Sequence, residues 1–401
     1  MAAIPIFIVT YVALALGRIP GLKSDRVAAA IVGAAAMIAF RVLTFEDAER
    51  AVDGRTLALL FGMMIISAAL DVSGVFALTG FYVMRRAKNP TTLLIAVSTA
   101  AAVLSAMMIN DVICLAFTPL VLHICDALEC EPKPYLIALA TSSNIGSVAT
   151  ITGNPQNILI ASLSHISYGR FAAALLPVAI VALALNVVII RVVYKVELTK
   201  PFIHPARSAP PHVRRADLVK AVVVGAGVLV AFMAGVPPAL AALVGGSSML
   251  LTRATEPKQL YARTDWPLLA LFASLFVVVA GIERIGLADE LASAFTVLRA
   301  DTVFGLSGLT ALLSNLVSNV PAVMVLKTAV PHLPDTETAW LTLAMASTLA
   351  GNLTLSGSLA TIIVVERAEE RTKISFSDFF KVGAPSAVVS VAFGALWLSL
   401  R

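Results

Sequence analysis

Twelve apolar runs make up most of the chain, and they restrict it to folds that can cross a lipid bilayer. The sequence is 59% hydrophobic and 13% charged with a mean hydropathy of +0.92, whereas a soluble domain is about 45–50% apolar and about 25% charged. Since a spanning helix needs about 20 apolar residues, these runs predict an all-α polytopic membrane protein. The runs lie near residues 3–17, 27–40, 56–80, 91–125, 135–164, 171–194, 217–234, 238–252, 266–282, 302–331, 339–365 and 380–400.

Four of these runs carry polar residues at their centre and are too long or too polar for one simple span. They are 91–125, 135–164, 302–331 and 339–365, and the second contains the sequence Gly-Asn-Pro-Gln-Asn. Irregular backbone survives at membrane depth only where protein or a water-filled cavity surrounds it. We therefore predict two re-entrant hairpins, 91–125 and 302–331, each followed by a broken helix. Discontinuous helices of this kind form the binding sites of secondary transporters.

The second half of the chain repeats the polar pattern of the first. The offset between matching residues falls from 212 to 204, and the pairs include Asp53 with Asp265, Asn110 with Asn319, and Thr150 with Thr354. This order predicts a duplication, with one repeat at 1–194, a cytoplasmic linker at 195–216 and a second repeat at 217–401.

The basic residues predict the orientation of the helices. With each hairpin entering and leaving on one side, 21 of the 29 Lys and Arg residues fall in segments assigned to the cytoplasm. Lys and Arg favour cytoplasmic loops, so the count predicts both termini outside a cell inner membrane. It also predicts about ten spanning helices plus two hairpins, with the two repeats inverted relative to each other.

Asp111 is the residue in these runs that most strongly suggests chemistry. A charged side chain within a membrane segment costs about 2.5–3.5 kcal/mol on insertion scales, and such groups usually face a cavity. Beside Asn110 at a hairpin tip, Asp111 could bind a proton or a sodium ion. The alternative is a carboxylate that only caps the N-terminus of a half-helix. The second hairpin has Val320 at the equivalent position, so the sequence predicts one titratable group and not two.

Six asparagines in the broken runs could bind a polar solute, since an amide both donates and accepts hydrogen bonds without charge. Half-helix N-termini would add a partial positive field for polar oxygens. The alternative is that these side chains only satisfy backbone groups freed by the breaks. They are Asn110, Asn144, Asn154, Asn157, Asn319 and Asn352.

Other function classes find little support in the sequence. The net charge of +5 does not indicate nucleic-acid binding, because the basic residues lie in short loops between apolar runs. Cys114, Cys125 and Cys130 have neither a disulfide-framework nor a zinc spacing. The sequence contains no Walker motif and no evident pairing of a nucleophile with a base, so we expect neither an ATP-driven pump nor an enzyme. We expect no cofactor beyond a coupling proton or sodium ion.

The motifs resemble those of the ion transporter superfamily, and within it the ArsB/NhaD-type arsenite permeases, anion permeases and plant silicic-acid efflux transporters. The resemblance covers nearly the whole chain and is carried by residues 110–119, 140–147, 152–157 and 350–358. It implies an elevator-type transporter, often a homodimer, whose hairpin tips and helix breaks form the binding site. Carried over by motif, that site comprises Asn110, Asp111, Ser143, Asn144, Asn154, Asn157, Asn319 and Asn352.

These observations predict a proton-coupled efflux transporter for a small metalloid oxyacid such as arsenite, antimonite or silicic acid. Such solutes are neutral and rich in hydroxyls, which suits a site of Asn, Ser and Thr without Arg or Lys. The alternatives are a sodium-coupled transporter of carboxylate or sulfate and a sodium/proton antiporter. Partners would be the solute and the bilayer, with an ATPase subunit as a further partner if the chain serves an arsenite pump.

Overall fold

The structure is a computed structural model that describes residues 2–19, 21–202, 210–211, 213–251, 255–285 and 299–401. Within these ranges the chain forms twenty α-helices and two 3₁₀ turns, and none of the described residues lies in a strand. The first helices are α1 Ala3–Leu16, α2 Arg26–Ala39, α3 Phe45–Ala51, α4 Gly54–Val72, α5 Val75–Arg86, α6 Pro90–Met107, α7 Asn110–Leu128, α8 Lys133–Ser147, α9 Pro155–Ser164, α10 Tyr168–Val193 and α11 Lys195–Thr199.

The remaining helices follow the predicted linker. They are α12 Arg215–Met233, α13 Pro238–Leu250, α14 Pro257–Tyr261, α15 Trp266–Glu283, α16 Val303–Val317, α17 Asn319–Leu326, α18 Thr336–Ala350, α19 Leu359–Ala368 and α20 Phe376–Ser399. The 3₁₀ turns are Ile151–Gly153 and Val330–His332.

Seven of the helices in the described ranges are long and apolar enough to cross a bilayer, which makes this a multi-pass membrane protein. Four more are apolar but shorter, so the predicted count of about ten spans stays a prediction. The seven are α4, α6, α7, α10, α12, α15 and α20, and the shorter four are α1, α2, α13 and α16.

Helix pairs in the two predicted repeats pack in a reciprocal way. Helix α4 packs on α13 and α15 packs on α2, while α6 packs on α8 as α16 packs on α18. Small residues permit the close approaches, as is usual between membrane helices. At Gly146 in α8, for example, a Cβ atom would collide with the backbone of Ala102 in α6. The predicted domain boundaries and the inversion of the repeats stay predictions.

The structure changes some of the predicted runs. Run 56–80 is two helices, because α4 ends before Ser73 and Gly74 adopts a left-handed φ of 86° at the start of α5. The predicted linker 195–216 begins with the helix α11, whose Leu198 packs into the core. It ends in the first residues of α12. Residues 203–209 and 212 of this linker lie outside the described residues, as does Gly286, which the predicted repeat matches with Gly74 at the offset of 212.

Candidate functional site

One cavity of about 520 Å³ has the starts of several helices on its wall, and four of these helices share a feature. Each follows a break in one of the four runs whose centres are polar. Helices α7 and α17 follow the breaks in runs 91–125 and 302–331, and α9 and α19 follow the breaks in runs 135–164 and 339–365. Their first turns contribute Asn110, Gln156, Asn319 and Leu359 to the wall. Helix N-termini carry free N–H groups and a partial positive charge, so their convergence favours polar oxygen atoms in the cavity.

Three of these four N-termini have no side-chain cap. The residues before α7, α17 and α19 are Ile109, Ser318 and Ser358, and none of their side chains accepts from the helix that follows. Ser318 has a φ of 80°, a conformation that non-glycine residues rarely adopt, and it lies on the cavity wall. Only α9 is capped, by Asn154. The residues that precede these three helices therefore do not compete with a solute for their N–H groups.

Charged side chains also line this cavity. They are the carboxylates of Asp25, Asp111, Asp265 and Glu366 and the guanidinium of Arg26. Asp25 and Asp265 cap α2 and α15 through the backbone N–H groups of Ala28 and Leu268. In the part of the chain that the structure describes, the side chains of Asp111 and Arg26 form no hydrogen bond or ion pair, and Asp265 is close enough to Asp111 to repel it electrostatically. The cavity is therefore acidic overall.

A chain of buried amides lies directly behind the wall. Asn110 Nδ2 donates to Asn144 Oδ1 at 2.9 Å, and Asn144 Nδ2 donates to Asn352 Oδ1 at 2.8 Å. Asn144 Oδ1 also accepts from Ser358 Oγ at 3.0 Å, and Asn352 Nδ2 donates to the Thr141 carbonyl at 3.1 Å. Asn144 therefore connects the tip of the first hairpin to the break before α19.

The break between α8 and α9 has its own set of hydrogen bonds. Asn154 Nδ2 donates to Ser147 Oγ and Thr348 Oγ1, both at 3.0 Å, and its Oδ1 accepts from the Asn157 backbone N–H at 2.9 Å. Asn157 Nδ2 donates to the carbonyls of Ser147 and Thr150 at 3.0 and 2.9 Å. Asn157 therefore satisfies two carbonyls beside the break, while Asn154 caps α9 and links it to Ser147 and Thr348.

The predicted site residues thus divide into two groups. Asn110, Asp111 and Asn319 line the cavity. The other five are buried behind its wall and hold the elements that form it, namely Ser143, Asn144, Asn154, Asn157 and Asn352. Asp111 lies in the first turn of α7 and forms no capping hydrogen bond there, so the structure gives no support to the alternative that it only caps this helix.

Sequence reasoning missed several cavity residues. Gln156 and Ser358 line the cavity and lie within the polar motifs, but the residues predicted from these stretches are the asparagines. Asp265 was recognised only as a repeat match, although it gives the cavity a carboxylate in addition to Asp111. The expectation of a site without Arg or Lys is wrong, because Arg26 lines the cavity. In the sequence Arg26 resembles an ordinary interfacial charge, because it lies directly before an uninterrupted apolar run.

A second polar contact joins α4 and α9 away from the cavity. Asp53 Oδ2 accepts from Ser162 Oγ at 2.5 Å and from Thr56 Oγ1 at 2.7 Å. Residues 265 and 366 occupy the matching positions of α15 and α19 under the predicted offsets, and there both side chains are carboxylates that line the cavity. A hydrogen bond therefore joins α4 to α9, whereas none joins Asp265 to Glu366 at the matching position between α15 and α19.

A membrane-embedded cavity formed by the N-termini of broken helices is the site of a secondary transporter, and this defines the class of the protein. The comparisons agree. A family model described as citrate transporter (CitMHS) matches residues 11–350, and the chain belongs to this family.

Relatives with similar sequences cover almost the whole chain. The uncharacterized transporter Rv2684 of Mycobacterium tuberculosis is 30% identical over 426 residues, which cover 100% of this chain and 98% of that protein. The silicon efflux transporter LSI3 of Oryza sativa subsp. japonica is 30% identical over 449 residues, which cover 94% of this chain and 93% of that protein.

The fold is also found in a solved structure. The YdaH transporter of Alcanivorax borkumensis aligns with a TM-score of 0.62 at 12% identity, covering 100% of this chain and 97% of that chain. At this identity the likeness supports the fold alone.

Proposed function

We propose that the protein exports a small neutral metalloid oxyacid, such as silicic acid or arsenite, in exchange for protons. The observation that carries the proposal is a cavity that combines uncapped helix N–H groups with carboxylates. A hydroxyl of a neutral acid accepts from an N–H group and donates to a carboxylate. Such a solute can use both kinds of group, whereas an anion without a hydroxyl, such as sulfate, can use only the first.

The charge balance supports a neutral solute over a polyanion. Among the described residues, four carboxylates and one guanidinium line the cavity. Like charges in a poorly solvated site repel strongly, because the effective dielectric constant is low there. A tricarboxylate would therefore need several bound cations to enter, while a neutral oxyacid needs none.

Asp111 is the proposed coupling group. It lies in the first turn of α7 and lines the cavity beside Asn110, and the part of the chain that the structure describes offers it no hydrogen bond or ion pair. Proton binding would change Asp111 from an acceptor of solute hydroxyls into a donor. Protonation of Asp111 would thereby weaken binding of the solute, which couples proton entry to solute exit. The description of LSI3 as a silicon efflux transporter agrees with this substrate class.

Ligand-induced stabilisation tests the substrate class. The purified chain would be heated with silicic acid, arsenite, citrate, sulfate or sodium, and the Tm recorded for the natural chain, Asn110→Ala and Asn186→Ala. Asn186 is a matched control, because it is a buried amide outside the cavity. We expect a neutral oxyacid to raise the Tm of the natural chain and of Asn186→Ala but not of Asn110→Ala. Stabilisation by citrate and sodium together, without any by the oxyacids, would overturn the proposal.

A sodium-coupled anion transporter is the second candidate. The family description as citrate transporter favours it, as does the guanidinium of Arg26, which has no ion-pair partner among the described residues. Sodium ions would then neutralise the carboxylates, and an anion would bind the helix N-termini. This candidate predicts transport that stops without sodium and does not respond to a proton ionophore.

A further inference from the structure

Two of the three cysteines lie on either side of the turn that ends α7. Cys125 is in the last turn of the helix and is 2% exposed, while Cys130 is half-buried in the segment that follows. Between them Glu129 is left-handed (φ 51°, ψ 46°), and the Cys130 amide donates to the Cys125 carbonyl at 3.0 Å. These are the features of a Schellman motif, in which the side chains on either side of the turn are usually in contact.

The backbone hydrogen bond limits the separation of the two residues. An amide N lies about 1.5 Å from its own Cα, and a carbonyl O lies about 2.4 Å from its own Cα. With an N···O distance of 3.0 Å between them, the two Cα atoms are at most about 6.9 Å apart. Disulfides require Cα atoms within about 7 Å and side chains that face each other. The Schellman motif brings the side chains on either side of the turn together, and the two thiols lie close enough to interact.

The surroundings of the two thiols differ in a way that suits oxidation. A hydrogen bond from the Cys125 thiol lowers the pKa of the Cys130 thiol. The thiolate is the reactive form of cysteine, so the more accessible Cys130 is the nucleophile. Cys125 is buried beside it, in the position of a resolving thiol.

We propose that Cys125 and Cys130 form a redox-active dithiol that a peroxide converts to an intramolecular disulfide. The Cys130 thiolate attacks one oxygen of hydrogen peroxide, the O–O bond breaks, and the departing hydroxide takes up a proton to leave as water. The Cys125 sulfur then attacks the sulfenic sulfur of Cys130, the S–O bond breaks, and the hydroxide leaves with the Cys125 thiol proton as a second water. The two thiols lose two electrons, and the peroxide gains them.

The proposal is independent of the transported solute. The dithiol lies at the opposite end of α7 from Asn110 and Asp111, and its oxidation can be measured on the thiols themselves. Cys114 provides an internal control, because it is fully buried within α7 and three turns from Cys125.

The test counts free thiols on the purified full-length chain in detergent. The chain is reduced, freed of reductant, treated with hydrogen peroxide, denatured in SDS and labelled with a maleimide before intact mass is measured. We expect the natural chain to fall from three labels to one with a loss of two hydrogens, and Cys114→Ser to fall from two labels to none. Cys130→Ser should keep two labels.

Peptide mapping places the bond without any variant. Cleavage after Phe117 and after Glu129 places the three cysteines on different peptides, so the disulfide appears as the Cys125 and Cys130 peptides joined together until they are reduced. Three labels on the peroxide-treated natural chain, a bond that includes Cys114, or a bond between two chains would each overturn the proposal.

Discussion

Asn144→Ala removes the amide that connects the first hairpin to the break before α19. It deletes three hydrogen bonds, in which Asn144 accepts from Asn110 and Ser358 and donates to Asn352, at 2.8–3.0 Å. Hydrogen bonds between membrane helices stabilise by about 0.6 kcal/mol each on average. The variant should therefore lose about 2 kcal/mol of unfolding free energy.

Asn186→Ala is the matched control for this loss. Asn186 is 0% exposed and also has three side-chain hydrogen bonds, to Thr141 Oγ1, Ser142 Oγ and Ser386 Oγ, at 2.9–3.3 Å. It does not line the cavity. The same arithmetic gives about 2 kcal/mol, so the two variants should be destabilised alike.

Two assays separate stability from transport. Unfolding by SDS in mixed micelles gives the free-energy change, and solute counterflow in proteoliposomes gives the transport rate per folded protein. We expect Asn144→Ala to lose on the order of tenfold in rate, the effect of about 1.4 kcal/mol, because Asn110 and Ser358 lose the partner that positions them. Asn186→Ala should retain its rate. Equal rates in the two variants would refute the role given to Asn144.

Two further predictions concern packing and pH. Gly146→Ala should lower the free energy of unfolding by about 1–3 kcal/mol, because the added Cβ meets the backbone of α6. Gly308→Ala in α16 is the control, because its Cβ enters open space and should not destabilise the protein. Unfolding by SDS compares the two variants. The pKa of Asp47 is lowered by hydrogen bonds from the Thr44 amide and hydroxyl and by Arg284. Its contribution is present above the unfolded pKa of about 3.9 and is lost as the pH falls through the lower folded value. Asp47→Asn should therefore show a smaller loss of Tm below about pH 4, and an identical pH profile would contradict this.

The breaks in the helices were predictable because their residues are locally distinctive. Asn-Pro and Gly in the middle of an apolar run cannot continue a lipid-facing helix, and the structure places α9 directly after Asn154. Which polar residue reaches the cavity was not predictable, because it depends on how each helix is rotated about its axis. Gln156 lines the wall, while the next residue, Asn157, points its amide back to Ser147 and Thr150.

The charged part of the wall was harder to predict for a different reason. Asp265 and Arg26 begin uninterrupted helices, and in a sequence such residues look like ordinary interfacial charges. Only the packing of α2 against α15 brings them to one cavity with Asp111. Long-range packing of this kind leaves no local signal in a single sequence.

The proton-coupling claim is tested most directly by transport under an imposed pH gradient. Uptake of silicic acid or arsenite would be measured in everted vesicles that contain the natural chain or Asp111→Asn, with and without a proton ionophore. The account predicts uptake by the natural chain that the ionophore abolishes, and no gradient-driven uptake by Asp111→Asn. Gradient-driven uptake by Asp111→Asn at the rate of the natural chain would contradict it.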